Sequence, residues 1–133
     1  MFPVKRKLSL VVAALFAGSG LCSSVAFALD GPALQSGKLP VPGSKEETEV
    51  CAAVVTYNGY VIGEALPADE KAYQDDVAAA WLVLAVAANN TSLNAYTQSR
   101  LYPDLDFVDT LDDAVILANI ENCFMRMESM NQG

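Results

Sequence analysis

The chain has 133 residues, 53% of them hydrophobic, with 8 basic and 16 acidic side chains for a formal charge of −8, and it contains no histidine. The acidic balance argues against nucleic acid as a partner, because a phosphate backbone needs a basic footprint. Without histidine, Ser-His-Asp and Cys-His catalysis, the usual zinc sites and the commonest general base are all lost, so the sequence reads as a non-enzyme that needs no cofactor and no metal.

The chain opens with Lys5, Arg6 and Lys7, an apolar run from Leu8 to Ala17, and small residues ending at Ala26, Phe27 and Ala28. This is the layout of a secretory signal peptide cleaved after Ala28, and the apolar run is well short of the ~20 residues that a membrane span requires. Cys22 follows Leu21 rather than a small residue, a poor fit to a lipoprotein site, and is expected to leave with the signal. Removing residues 1–28 leaves 105 residues (133 − 28), with 5 basic and 16 acidic side chains and a charge of −11 (5 − 16). Such a chain is expected in the periplasm or outside the cell, without a membrane span, and its surface suits a basic protein partner. Cys51 and Cys123 remain, and in an oxidising compartment an isolated pair predicts a disulfide contributing roughly 4 kcal/mol on the chain-entropy model.

Residues 29–43, "LDGPALQSGKLPVPG", hold three prolines and three glycines and read as a flexible leader that drapes over the domain formed by residues 44–133. Ser44 and Glu47 match the capping-box spacing and start the first helix. The pair Asn58-Gly59 inside "VVTYNGYVIG" is a hairpin signal. Yet Val50, Val54, Tyr57, Val61 and Ala65 line one helical face, while Glu46, Glu49, Tyr60 and Glu64 share another arc in phase through the pair. A lone hairpin would also be marginal in water. A helix is therefore preferred, with Ala52, Thr56, Gly59 and Gly63 forming a strip of small residues on which a second helix packs.

Pro67 opens a second helix from about Ala68 to Ala88. Its second half, "VAAAWLVLAVAA", is apolar on every side and predicts a helix buried in the middle of a bundle, with Trp81 as the largest anchor. Asn89 and Asn90 end it. They also match the N-x-[ST] glycosylation pattern, which acts only in a eukaryotic secretory pathway. Thr91 or Ser92 caps a shorter helix containing Leu93, Tyr96 and Leu101, which Pro103 is expected to end. A last helix is predicted from Thr110, with Ile116, Leu117, Ile120, Cys123, Phe124 and Met127 on its apolar face and Asn119, Asn122 and Arg126 opposite. The expectation is an all-α protein: a small four-helix domain stapled by Cys51–Cys123.

Asp104, Asp106, Asp109, Asp112 and Asp113 fall within "DLDFVDTLDD". Counted from Asp104, a calcium-binding EF-hand needs an oxygen ligand where Val108 stands, Gly at Asp109 and Glu at Val115, so calcium is not expected. Asp104 and Asp106 read as a turn, and Asp109, Asp112 and Asp113 as complements to the positive end of the last helix. Paired carboxylates for glycoside hydrolysis would need a larger cleft than this domain offers. These five aspartates together with Tyr60 are instead the candidate interface for a protein partner. Met125, Met127 and Met130 read as core fillers or as an adaptable binding surface.

An export signal, about a hundred mature residues, helices and a cysteine near each end together resemble the periplasmic immunity proteins that neutralise peptidoglycan amidases delivered by type VI secretion. The resemblance implies a protein that sequesters a secreted cell-wall hydrolase in the bacterial envelope, and it supplies no motif from which inhibitory residues carry over. The small, exported, single-disulfide helical layout also resembles acid-stress chaperones, which open when their carboxylates are protonated. A structural envelope protein is the remaining alternative.

Overall fold

The computed structural model describes Leu29, Leu34 and residues 40–132; the expected signal peptide, residues 1–28, and most of the expected leader lie outside the described residues. Among the described residues there are four helices and no strand: α1 (Lys45–Ile62), α2 (Ala68–Ala88), α3 (Leu93–Val108) and α4 (Asp113–Gln132). Among the described residues no single helix is long and apolar enough to cross a membrane.

Ser44 caps α1 as its spacing predicts, its Oγ accepting the Glu47 N–H at 3.2 Å. The returning carboxylate reaches one residue further back than in a standard capping box. Glu47 Oε1 accepts the Gly43 N–H at 2.8 Å, and Gly43 takes φ +82°, a left-handed conformation that favours glycine. The helix then runs through Asn58-Gly59 without a break, so the hairpin is not formed. Gly59 is the point of closest approach to α2. A Cβ there would lie 3.0 Å from Gln74 Nε2, whereas one at Gly63 would meet nothing within 4 Å. The small-residue strip thus receives α2 at Gly59, where Asn58 Nδ2 donates to Gln74 Oε1 and Gln74 Nε2 donates to the Val55 carbonyl, both at 2.8 Å.

The centre of the molecule is α1 rather than α2. Every residue of α1 from Glu47 to Val55 is buried, as are Tyr57 and Asn58, because α2, α3 and α4 all pack against it. Along α2 only Gln74, Val77, Trp81 and Ala85 are buried. An all-round apolar sequence is what a central helix requires, but it does not by itself bring neighbours to every side. Trp81 is fully buried and its Nε1 donates to the Cys123 carbonyl at 3.2 Å. Cys51 and Cys123 form the predicted disulfide between α1 and α4, with Cα atoms 5.4 Å apart. The same Cys123 turn of α4 therefore meets both α1 and α2.

Three local expectations are corrected. Pro103 does not end the third helix. The backbone widens into a π-turn over Thr97–Leu101, where the Tyr102 N–H reaches the Thr97 carbonyl, and then continues as α-helix over Tyr102–Val108. Proline removes one backbone donor and crowds the preceding turn, and the wider π-turn relieves both. Asp104 and Asp106 are consequently helical rather than part of a turn. Thr110 closes α3 instead of opening α4: its hydroxyl donates to the Phe107 carbonyl at 2.6 Å, and α4 starts at Asp113. Finally, Asn119 is buried while Leu117 is exposed. The reason lies in the leader, since Asn119 Nδ2 donates to the Leu34 carbonyl at 3.0 Å and to the Val115 carbonyl at 2.9 Å. Leu29 and Leu34 are both buried in the core.

Candidate functional site

The sequence-derived interface residues differ in burial. Tyr60 is 69% exposed on α1, beside a polar cleft of about 390 Å³ that Gly59, Glu64, Lys71 and Asp75 also line. Asp104 and Asp109 face inward and are buried, and Asp109 Oδ1 accepts the Tyr57 hydroxyl at 2.6 Å. Asp106 and Asp113 are half-buried and Asp112 is exposed. Burial, with the nearby Asp109 charge adding to it, raises the Asp106 carboxyl above its ordinary range. Among the described residues no three Asp, Glu or Cys side chains gather closely enough to hold a metal ion. The acidic run joins α3 to α4 and is in part anchored to the core, with Asp109 held one helical turn from Tyr60 on α1 through its bond to Tyr57.

Two glutamates of α1 take structural roles that periodicity does not reveal. Glu47 is 1% exposed and receives Arg126 side-on, with Nε to Oε2 at 2.6 Å and Nη2 to Oε1 at 3.1 Å. Glu49 was expected on a polar arc but is buried under the α2–α3 corner. Its Oε2 accepts from Asn89 Nδ2 at 2.8 Å and from Arg100 Nη2 at 3.1 Å. Bidentate and charge-assisted bonds of this kind offset the desolvation that buried carboxylates would otherwise suffer. Arg100 and Arg126 are the only arginines after residue 28, and both are held against α1. Tyr96 is buried beside this cluster; burial first, then the charges of Asp104 and Glu49, push its hydroxyl pKa upward.

Among the described residues, a face between α2 and α4 is left without a neighbour. Ala79, Ala80, Val83 and Leu84 of α2 and Met127 and Met130 of α4 line an open trough of about 620 Å³, with Asp76 and Asn131 as its polar residues. Val83 is 65% exposed, and Leu84 and Met130 each 38%. Scattered exposed aliphatics are ordinary, whereas several on one face beside a groove mark a contact surface. Two interactions fix the helices that carry it. Tyr73 on α2 donates its hydroxyl to Glu128 Oε2 of α4 at 2.8 Å, and its ring lies 5.6 Å from that of Phe124. The hydrogen bond to Glu128 is the main reason the Tyr73 hydroxyl pKa is raised. The trough was not legible in "VAAAWLVLAVAA", whose all-round apolar sequence predicts a buried helix; the signal for it lay in Met127 and Met130, read as core fillers or as an adaptable binding surface. No family model, curated protein or solved structure matches this chain.

Proposed function

We propose that this is an exported, disulfide-stapled protein of the bacterial envelope that binds another protein through the α2–α4 trough, and that the partner is a secreted cell-wall hydrolase which it sequesters. The observation that carries the reading is the exposure of Val83, Leu84 and Met130 along one trough while Trp81, on another side of the same helix, is fully buried. A helix that anchors the core through Trp81 and presents aliphatics outward supplies both rigidity and contact area, the combination that a tight interface needs. The staple from α1 to α4 holds one wall of the trough on the scaffold. The immunity-protein layout described above supports a hydrolase as the partner, and the charge of −11 on residues 29–133 (5 − 16) favours a basic one.

The test places a photo-crosslinking amino acid at Val83 and, separately, at Tyr60 in the exported, oxidised protein. Irradiated envelopes are expected to yield a discrete crosslink to a peptidoglycan-cleaving enzyme from position 83 only. The purified pair should then lose hydrolase activity at one-to-one stoichiometry. Crosslinking from Tyr60 alone, or a captured hydrolase whose cleavage rate is unaffected, overturns the proposal.

A further inference from the structure

The geometry points to a specific kind of occupant for the trough: a basic amphipathic helix of the partner, laid between α2 and α4 with its apolar side chains inward and a lysine or arginine facing Asp76. This inference rests on the reading of the trough as a protein-binding face and adds the chemistry of what enters it. Three observations lead to it.

The first is shape. α2 and α4 form a helix pair tied together at Tyr73–Glu128 and Trp81–Cys123, and the trough runs along their outward side. Such a surface is completed by a third helix whose residues at i, i+3, i+4 and i+7 enter the groove. Ala79 and Ala80 keep the α2 wall low enough for a close approach, and the flexible Met127 and Met130 adapt to the shape of the entering side chains.

The second is local charge. Among the described residues the trough lining includes one carboxylate, Asp76, and no lysine or arginine. The nearest basic residue along α2, Lys71, pairs with Asp75 at 3.0 Å, and Arg126 of α4 is engaged by Glu47. The carboxylate at the trough is therefore uncompensated by its own helices, and a cation from outside would be attracted to it.

The third observation argues against a second copy of this chain. Two copies meeting face to face would set Asp76 against an acidic surface, each carrying −11 over residues 29–133 (5 − 16). Like charges across an interface oppose association and suppress that pairing.

The test uses the full mature, oxidised protein and three synthetic helical peptides of about 18 residues, long enough to hold helix when bound. All three share the same leucine stripe, with polar positions filled by lysine, glutamine or glutamate. Binding is measured by calorimetry at moderate salt and mapped by methyl NMR. The leucine–lysine peptide is expected to bind at least about tenfold more tightly than the leucine–glutamine peptide, with the leucine–glutamate peptide weakest. Methyl shifts should centre on Val83, Leu84 and Met130. The neutral pair V83S/L84S, at exposed positions, should weaken all binding at least about tenfold, which separates groove binding from general attraction to an acidic surface. D76N should remove most of the lysine-over-glutamine preference and leave the glutamine peptide unchanged.

Equal affinity for the three peptides overturns the charge assignment. Lysine-peptide binding that survives V83S/L84S overturns the groove. Concentration-dependent dimerisation abolished by V83S/L84S assigns the trough to a second copy and overturns the proposal. If the peptides show no charge preference while the Val83 crosslink to a hydrolase persists, this inference fails and the broader binding reading stands.

Discussion

Replacing Gly59 by alanine should destabilise the protein, and the same replacement should stabilise it once Gln74 is gone. Alanine is favoured over glycine in a helix interior by about 1 kcal/mol, so G59A on an isolated α1 would be a gain. In the folded protein the new Cβ lies 3.0 Å from Gln74 Nε2. That amide has little freedom to move: Gln74 is 3% exposed, and its two ends are held by Asn58 and the Val55 carbonyl at 2.8 Å each. Displacing it weakens two buried hydrogen bonds worth about 1 kcal/mol each and risks leaving a buried polar group unsatisfied at about 1–3 kcal/mol. The loss exceeds the propensity gain, for a net destabilisation of about 1–2 kcal/mol. In a Q74A background the obstructing atoms are absent, and G59A should stabilise by about 1 kcal/mol. Urea unfolding of the four oxidised proteins, followed by far-UV circular dichroism with equal m-values, closes the cycle. A stabilising G59A of the same size in both backgrounds would refute the view that Gly59 is needed for the approach of α2.

Three further outcomes are expected. C51S/C123S, which opens a crosslink spanning 72 residues, should lose about 4 kcal/mol on the chain-entropy model, read by denaturant unfolding, while the oxidised protein shows no titratable thiol when denatured without reductant. R126M leaves Glu47 buried and uncompensated and should cost about 3 kcal/mol, at the low end for a buried pair because Arg126 is partly exposed; E47Q/R126M should recover part of this, and full additivity of the single changes would show that the pair is not coupled. D106N should be more stable than wild type at neutral pH and indistinguishable from it in strong acid. The sign follows from linkage: the folded state holds the Asp106 proton more tightly than the unfolded chain does, so this group's contribution falls as pH rises from the ordinary carboxylate range through the raised value. Melting temperatures against pH that stay parallel for the two proteins would contradict it.

Local features are encoded in short stretches of the chain. Ser44 and Ser92 cap helices as their positions suggest, α2 spans Ala68–Ala88 as read from Pro67 and Asn89, and Cys51 and Cys123 are bonded. Each depends on chemistry within a few residues, or on there being a single way to pair two thiols. The helix through Asn58-Gly59 was also legible, because the apolar period stays in phase across the pair.

Which apolar and polar faces are covered depends instead on how the helices pack. Periodicity reports that a face is apolar; it says nothing of whether another helix reaches it. The all-round apolar α2 therefore looked central, yet α1 takes the centre, and the uncovered side of α2 becomes the trough. For the same reason Glu47 reads only as a capping residue and Glu49 as part of a polar arc until partners 79 and 51 positions away arrive to neutralise them. Asn119 likewise turns inward only because Leu34, 85 positions earlier in the chain, offers it a carbonyl. Contacts over such separations depend on how whole helices pack, and no local pattern encodes them.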